Sequence, residues 1–426
     1  MKIIVSSLLL LLKVLWIPIV VLMPRNRKKI VFGAWSGHQY SCNPKHLFEY
    51  TVRRGGFKCY WIGDAILEDA VLKIPSARFL RKGSLLALWH CLTARFYVCN
   101  VQWRSDVIDI PRCKRAHLFY LTHGVLDKKL GVFQYNGRGQ VATTQSAKHK
   151  SRLRKMVGSF LCGLDEFLYG QQSWCSGSSE QVAKLFVENL PWRLSRERML
   201  KCGTPRGDYM LAMSHDSVKR MELRKKIASV LGIPLEKKWY VFVPTWRHNV
   251  EYLFSFTTSK RLVEYRQLLQ KQNALIIEKQ HPKTLEEGLI ATGDVDSIKV
   301  VSKAAAREID TQELLAACDR LITDYSSIYY DFVLMDRPVI HFTYDYDQFV
   351  NLDTGLCHDI RDYGGGPFAY TEDEFLKLMN QSDNELLAQR NSRTKTEQLA
   401  WEKGHACEGY YRLFESLSAE KGYFVV

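Results

Sequence analysis

Residues 320–342, RLITDYSSIYYDFVLMDRPVIHF, alternate between apolar strand patterns, a polar loop and a helix pattern. The stretch predicts strands at Arg320–Thr323 and Pro338–Phe342, with a helix over Ser327–Met335 between them. A helix that joins two short apolar strands is typical of a βαβ unit, whose strands run parallel. This segment therefore predicts an α/β fold.

The same alternation extends through most of the 426 residues. A helix is predicted over Lys45–Val52, and helical pattern returns near 384–418, where the chain can fold back across both halves. No G-x-G-x-x-G follows a strand, which disfavours NAD binding. Further strands are predicted at Lys29–Gly33, Phe57–Gly63, Ala94–Val98, Arg115–Leu121, Trp239–Val243, Ala274–Lys279 and Ile298–Val301.

Two series of strands, separated near 190–205, predict two doubly wound Rossmann-like domains. The predicted divisions are a hydrophobic membrane-associated segment at 1–28, an N-terminal Rossmann-like domain at 29–200, a C-terminal Rossmann-like domain at 201–380 and a helical segment at 381–426.

The amino terminus contains an apolar run, Ile3–Met23, followed by a cationic cluster, Arg25–Lys29. At 1.5 Å per residue the run would be about 31 Å long as a helix, close to the thickness of a bilayer core. The cations follow the run, which disfavours a cleaved signal peptide and keeps the protein body at the cytoplasmic face. Because Lys13 lies inside the run, a spanning anchor and a monotopic interfacial helix both stay open.

Lysine and arginine exceed aspartate and glutamate by 15, which favours anionic partners such as anionic lipid or phosphorylated substrates. A generally basic surface is the alternative. No RRM or KH signature is present, so nucleic acid is not an expected partner. The eleven cysteines lack C-x-x-C spacing and indicate reduced thiols, and no residue cluster demands a bound metal. A basic patch within 141–160 has two interpretations: a solvated helix face, or a surface that contacts anionic lipid or a polyanionic acceptor. Its residues are Lys148, His149, Lys150, Arg152, Arg154 and Lys155.

Ligands of parallel sheets bind beyond the carboxyl ends of the strands. In this sequence the residues at those ends are polar and suit phosphate chemistry. His123 is a candidate general base, and Gly124 permits close backbone approach. His281, with Lys279 and Arg247, would neutralise charge on a pyrophosphate. The four groups are Thr122–Gly124, Thr245–Arg247, Lys279–His281 and Asp324–Ser327.

Ser326 and Ser327 stand between a predicted strand and a predicted helix. Their hydroxyls and the free N–H groups of a helix amino terminus would bind a phosphate. Capping of the helix by one serine is the alternative.

In order and spacing, these motifs resemble the CDP-glycerol glycerophosphotransferase family, which includes teichoic acid primases and polymerases. The motifs are Thr122-His123-Gly124, Gly203-Thr204-Pro205-Arg206-Gly207-Asp208, Pro244-Thr245-Trp246-Arg247, Gln280-His281-Pro282 and Ile322-Thr323-Asp324-Tyr325-Ser326-Ser327.

The resemblance implies a GT-B-like pair of domains facing a cleft, with residues 29–200 on the acceptor side and residues 201–380 binding the CDP-polyol. It implies that His123 is the catalytic base and that His281 is the second histidine of the site. It also implies that Ser326 and Ser327 bind phosphate and that Arg206 and Asp324 bind substrate. The implied substrates are CDP-glycerol and a lipid-linked glycan or teichoic-acid-type acceptor at an anionic membrane surface.

Two departures from the family pattern leave the donor, glycerol or ribitol, open. Val125-Leu126 follow His-Gly where the family often has Thr-Pro, and Gly207 stands where it often has Asn. A GT-B glycosyltransferase that uses a nucleotide sugar and a non-catalytic membrane adaptor are the rival functions. No tightly bound cofactor is expected, and Mg²⁺ near the pyrophosphate stays open. The sequence does not indicate an oligomeric state.

Overall fold

The computed structural model describes residues 17–109, 116–128, 172–191, 193–247, 253–281, 284, 294–295, 297–352 and 355–420. The cationic stretch at 141–160 and most of the apolar amino-terminal run lie outside these residues. Within the described ranges, no helix is long and apolar enough to cross a membrane. The described end of the run is a helix, α1, at Ile17–Leu22, and the predicted membrane attachment stays a prediction.

The N-terminal sheet is parallel and has the strand order β3-β2-β1-β4-β5. A parallel bridge between Phe119 and Trp174 continues it toward a short pair, β6 and β7. This order is that of a Rossmann sheet. The strands are β1 Asn26–Phe32, β2 Lys58–Gly63, β3 Arg78–Arg81, β4 Ala94–Cys99, β5 His117–Tyr120, β6 Cys175–Ser176 and β7 Met199–Leu200.

The C-terminal sheet repeats this plan, with the order β10-β11-β9-β8-β12-β13-β14. Its strands are parallel except for the edge pair β10 and β11. The α/β prediction with parallel sheets is thereby confirmed. The strands are β8 Lys238–Val243, β9 Ala274–Glu278, β10 Asp294–Val295, β11 Ile298–Val300, β12 Arg320–Thr323, β13 Val339–Phe342 and β14 Phe368–Ala369.

Helices cover the sheets and join their strands. The helices before β8 are α2 Cys42–Arg54, α3 Glu68–Leu72, α4 Leu85–Thr93, α5 Trp103–Asp106, α6 Glu180–Asn189, α7 Pro205–His215 and α8 Ser217–Leu231. In the C-terminal half they are α9 Leu262–Lys271, α10 Ala305–Glu308, α11 Thr311–Ala317, α12 Ile328–Val333, α13 Tyr346–Leu352, α14 Glu372–Met379, α15 Asp383–Ala388 and α16 Ala406–Ala419.

The carboxyl-terminal segment returns to the N-terminal half, as the sequence predicts. Tyr410 and Phe414 of α16 belong to the same core as Phe96 and Phe119 of the first sheet. The helical pattern predicted near 384–418 corresponds to three separate elements: α15, a π-helical turn at Thr394–Gln398, and α16. Gly404 has φ +76° just before α16, a conformation that ends regular helix.

Candidate active site

Loops from the carboxyl ends of the two sheets meet across the boundary between the halves. A Cβ atom on Gly124, after β5, would lie 2.4 Å from the Ser327 hydroxyl oxygen, after β12. Lys128 Nζ donates to Thr245 Oγ1 at 3.0 Å, which joins the loops after β5 and β8. Two of the sequence-predicted groups are therefore in direct contact, and Gly124 is needed because any side chain would displace Ser327.

The boundary where these loops meet is the candidate cleft, and His123 lies on its N-terminal wall, in the loop after β5. The preceding Thr122 has φ +53°, which turns the chain sharply after β5. The imidazole Nδ1 lies 3.5 Å from the carbonyl oxygen of Asn100, and the ring centre is 5.1 Å from that of Trp35. His123 is exposed, although the Asn100 carbonyl and the Trp35 indole lie beside its ring. Desolvation, reinforced by the charge of Arg206, lowers the pKa of His123 to about 4, so the ring is neutral at pH 7.

Arg206, in the first turn of α7, links His123 to the C-terminal half. Its Nη1 donates to the carbonyl oxygen of His123 at 2.5 Å, and its Nε lies 3.0 Å from Asp331 Oδ1 in α12. Its backbone N–H donates to Asn43 Oδ1 at 2.9 Å, and Asn43 Nδ2 donates to the carbonyl of Leu121 at 2.8 Å. This network fixes the position of the His123 backbone relative to α12.

Ser326 and Ser327 present hydroxyls that are not used to hold the fold. Ser327 precedes α12 but its side chain makes no capping hydrogen bond, and neither hydroxyl bonds to any part of the chain that the structure describes. The capping alternative therefore lacks its hydrogen bond. Because α12 is only six residues long, shorter than predicted, the hydroxyls rather than a long helix dipole are the main donors available here.

Arg247 and Asp324 lie beneath the cleft surface and bind each other. Arg247, 3% exposed, places Nη2 at 2.7 Å from Asp324 Oδ2 and Nε at 2.7 Å from Asp345 Oδ2. Asp324 also accepts the backbone N–H of Thr245 at 2.9 Å. Burial would raise the pKa of Asp324, but the charges of Arg247 and Lys128 hold it below its ordinary value. These bonds support the loops after β8 and β12, and direct substrate contact by either residue stays a prediction.

Lys279 and His281 follow β9. The Lys279 backbone N–H donates to the carbonyl of Phe242, while its Nζ has no hydrogen bond or ion pair with the residues described. Burial lowers the pKa of Lys279, and the nearby Asp310 only partly opposes this effect. An amine in this state gains from an anionic ligand. The His281 ring lies 6.4 Å from that of Trp246, and no contact joins it to His123 within the described ranges.

The loop after β1 also lies beside the site, although no sequence pattern pointed to it. Trp35 and Ser36 have φ values of +49° and +58°, a conformation that costs energy in non-glycine residues. Asn100 Oδ1 accepts the Trp35 N–H and Asp106 Oδ1 accepts the Ser36 N–H. These buried acceptors hold the Trp35 indole beside His123.

Glu402 is a second residue that sequence reasoning missed. Its carboxylate accepts the Thr204 hydroxyl at 2.8 Å and the Thr204 N–H at 3.1 Å. Burial raises the pKa of Glu402 to about 8. A Cβ atom on Gly207 would lie 2.1 Å from its Oε2. Glycine at 207, where the family often has Asn, therefore makes room for Glu402 behind Arg206.

Metal ligands are not gathered in the described part of the chain, where no group of three or more His, Cys, Asp or Glu side chains is placed to hold an ion. The cationic side chains near these strand ends are Lys128, which donates to Thr245, Arg206, which pairs with Asp331, and the buried Lys279. Binding of phosphate oxygens by these residues and proton transfer to His123 stay predictions.

Comparison with known proteins gives consistent matches over nearly the whole chain. The family model described as CDP-Glycerol:Poly(glycerophosphate) glycerophosphotransferase matches residues 15–413. A teichoic acid poly(glycerol phosphate) polymerase of Bacillus spizizenii is 26% identical over 374 residues, which are 86% of each chain. A teichoic acid poly(ribitol-phosphate) polymerase of the same organism is 29% identical over 84% of this chain and 52% of its own.

Among solved structures, the wall teichoic acid polymerase TagF superposes with a TM-score of 0.71 at 20% identity, covering 98% of this chain and 99% of that one. This likeness shows that the two chains share a GT-B-like fold.

Proposed function

Because the chain belongs to the CDP-glycerol:poly(glycerophosphate) glycerophosphotransferase family, we propose that it transfers glycerol phosphate from CDP-glycerol to a hydroxyl of a lipid-linked glycan or teichoic-acid-type acceptor, with His123 as base. CMP is the other product. One observation carries the proposal: His123 on the N-terminal wall directly precedes Gly124, and Gly124 lies against the hydroxyl of Ser327 on the opposite wall, which has no hydrogen-bond partner among the described residues.

The donor pyrophosphate is assigned to the C-terminal wall. Ser326 and Ser327 offer two hydroxyl donors, and the buried Lys279 offers an amine whose charge gains a partner when phosphate binds. His281, two residues after Lys279, is suited to meet the charge that grows on the departing CMP phosphate. Arg247 and Asp324 act beneath these groups, because their mutual bonds hold the loop that presents Ser326.

The acceptor hydroxyl is assigned to the N-terminal wall, beside His123. The hydroxyl oxygen attacks the phosphorus that bears glycerol, the bond from that phosphorus to the CMP oxygen breaks, and the hydroxyl proton passes to the imidazole. The free-enzyme pKa of about 4 makes His123 a weak base. Bound pyrophosphate brings negative charge close to the ring and so raises its pKa toward neutrality.

In this proposal any divalent metal would arrive bound to the substrate. Mg²⁺ would accompany the pyrophosphate oxygens, as it does in other phosphoryl transfers. The cleft cations Arg206, Lys128 and Lys279 would share the remaining negative charge.

The membrane location is part of the same proposal. Ile3–Met23, with the cations that follow, supports attachment at the cytoplasmic face. Attachment would keep the enzyme beside a lipid-linked acceptor, since both partners then diffuse in one plane.

The direct test is CMP release by the purified protein from CDP-glycerol and CDP-ribitol, with a lipid-linked glycan acceptor. We expect CMP with CDP-glycerol and phosphodiester-linked glycerol on the acceptor. Ribitol incorporation instead would keep the reaction class and change the donor, an outcome made relevant by the ribitol-phosphate polymerase relative. Turnover of a nucleotide sugar, with neither CDP-polyol used, would support the rival glycosyltransferase and contradict the proposal.

Replacing both serines, Ser326→Ala with Ser327→Ala, is expected to raise the KM for the CDP-polyol about 10- to 100-fold, because two hydrogen bonds to a charged phosphate are lost. The acceptor KM should change little. Ser382→Ala removes the serine that caps α15 in the same half of the chain and serves as control. An unchanged donor KM in the double variant would remove the pair from the phosphate site.

A further inference from the structure

A buried carboxylate, Asp127, joins the two halves of the chain close to the candidate cleft. It follows His123 in the loop after β5 and is 1% exposed. Its Oδ1 accepts the hydroxyl of Tyr330 in α12 at 2.9 Å and lies 3.0 Å from Nε2 of His358. Both partners belong to the C-terminal half, and these two contacts of the Asp127 carboxylate are called the Asp127 bridge below.

The backbone joins the same two segments. The Asp127 carbonyl accepts the N–H of Cys357 at 2.7 Å, and Lys128 pairs with Leu356 in an isolated antiparallel bridge. The loop after β5 is therefore laid along a segment of the C-terminal half at two successive residues. This pairing does not depend on the side chain at position 127, so it does not explain why a carboxylate is buried there.

A carboxylate is a costly side chain to bury at this junction. Its charge is unfavourable away from water unless partners replace the lost hydration. Asp127 Oδ2 has no hydrogen bond among the described residues, and Tyr330 supplies a neutral donor to Oδ1. Burial, reinforced by the charge of Asp127, raises the pKa of Tyr330 well above its ordinary value, so its hydroxyl stays a donor. Protonated His358 supplies the opposite charge that a buried carboxylate needs.

The surroundings of His358 favour its protonated form. Burial by itself would lower the pKa of His358, but the Asp127 carboxylate and two carboxylates of its own segment raise it above the ordinary value of roughly 6.5. The ion pair is therefore fully formed below that pH and is lost as pH rises through the raised pKa. The titratable and charged groups around the pair are Tyr329 and Tyr330 of α12, Asp359, Arg361, Asp362 and Tyr363 after His358, and Lys128, which donates to Thr245.

The Asp127 bridge connects the two segments on which the proposed transfer depends. Tyr330 lies one turn after Ser327, and its backbone N–H donates to the Ser327 carbonyl at 3.3 Å. Asp127 shares a loop with His123. The bridge thus sets the separation between the candidate base and the candidate phosphate ligand, where a displacement of about 1 Å can cost as much as 10²-fold in rate.

We propose that Asp127, held between Tyr330 and protonated His358, is a positioning residue that keeps the His123 loop against α12 in the geometry that transfer requires. Its effect on the rate rests on the proposed function, whereas the bridge itself is measurable without a substrate. Turnover then depends on the proton of His358, because loss of that proton leaves the buried carboxylate without its cation and loosens the junction.

The first test measures the bridge in the full-length chain by NMR with carbon-13-labelled histidine. His358 is identified as the signal that His358→Gln removes, and we expect it to titrate above its ordinary pKa. Asp127→Asn keeps the size and the acceptor for Tyr330 but removes the charge, so the His358 midpoint should move to lower pH. Asp383→Asn, which removes a carboxylate that pairs with Arg320 at the surface, should leave the midpoint in place. The same midpoint in the parent and in Asp127→Asn would overturn the proposal.

The second test is CMP release by the same variants. Asp127→Asn and His358→Gln should each lower kcat about tenfold at neutral pH, because the base is displaced from the donor. The KM for the CDP-polyol should change little, since the proposed donor ligands lie in the C-terminal half. The double variant should be no slower than either single variant, because both changes break one ion pair. Independent, multiplying losses would contradict the bridge.

The pH profile distinguishes positioning from a general structural role. In the parent chain kcat should fall on the alkaline side as His358 loses its proton. His358→Gln should lack that fall, and His358→Arg, which stays charged, should move it to higher pH. His215→Gln, at an exposed position near the end of α7, is the matched control and should keep the parent profile. An alkaline fall at the same pH in the parent, His358→Gln and His358→Arg would overturn the proposal.

Failure of the bridge and failure of the proposed function give different results. A parent chain that releases CMP from neither CDP-polyol, while Asp127→Asn still moves the His358 midpoint, would contradict the proposed function and support the bridge. CMP release by the parent chain, with no movement of the midpoint in Asp127→Asn, would support the proposed function and contradict the bridge.

Discussion

Replacing His123 with alanine is expected to lower kcat for transfer about 10²- to 10⁴-fold, the usual contribution of a positioned general base. Among the described residues the ring has a 3.5 Å contact with the Asn100 carbonyl and a tilted contact with the Trp35 ring, so we expect its removal to leave the core intact. Arg206 bonds to the backbone carbonyl of residue 123, and that bond survives the change. The measurement is CMP release at saturating CDP-polyol and acceptor.

The pH dependence supplies a second readout of His123. A base must be unprotonated, so kcat/KM should stay level from neutral pH downward and be lost as pH falls through the free-enzyme pKa of about 4. The acid limb of kcat should lie at higher pH, because bound pyrophosphate raises the pKa of the imidazole. His215→Ala, at an exposed position near the end of α7, is the matched control and should leave both profiles unchanged. Near-wild-type turnover by His123→Ala would remove the residue from the mechanism.

The strands of both sheets were predictable because each is a short apolar run with polar ends. Observed and predicted strands differ by only a few residues, as at Lys29–Gly33 against β1 Asn26–Phe32. The sequence analysis missed five strands: β6, β7, β10 and β14, which contain two residues each, and β3, which contains four. The two-residue strands have no pattern of their own and exist because a neighbouring strand supplies their hydrogen bonds.

The site was predictable to the extent that it follows the rule for strand ends. That rule selects the loops containing Gly124 and Ser327, and the structure brings them together. It does not reveal which polar groups bind each other. Arg247 resembles a phosphate ligand in sequence, yet Asp345, 98 residues away, accepts its Nε–H.

Glu402 shows the same limit, since its partner Thr204 lies 198 residues away. No local spacing encodes these pairs, because three-dimensional packing creates them.

Breaking the buried ion pairs of Arg247 is expected to reduce the stability of the fold more than any other single change considered. Arg247→Met keeps much of the side-chain volume but leaves Asp324 and Asp345 buried without their cation, which costs about 3–5 kcal/mol. The rings of Tyr325 and Phe349 lie 5.2 and 5.1 Å from the guanidinium carbon and lose that contact as well. The free energy of unfolding from denaturant titration measures the effect.

The control is the same substitution at an exposed ion pair. Arg261 binds Asp373 and Glu264 at the surface, so Arg261→Met should cost no more than about 1 kcal/mol because water and salt screen such pairs. If Arg247→Met is equally mild, the loops after β8 and β12 do not depend on the guanidinium, and Arg247 becomes available as the direct phosphate ligand that its sequence position predicts. The other outcome is a large loss of stability together with a loss of donor binding no greater than the loss of folded protein. That result would establish Arg247 as the support of the loop that presents Ser326 and Ser327.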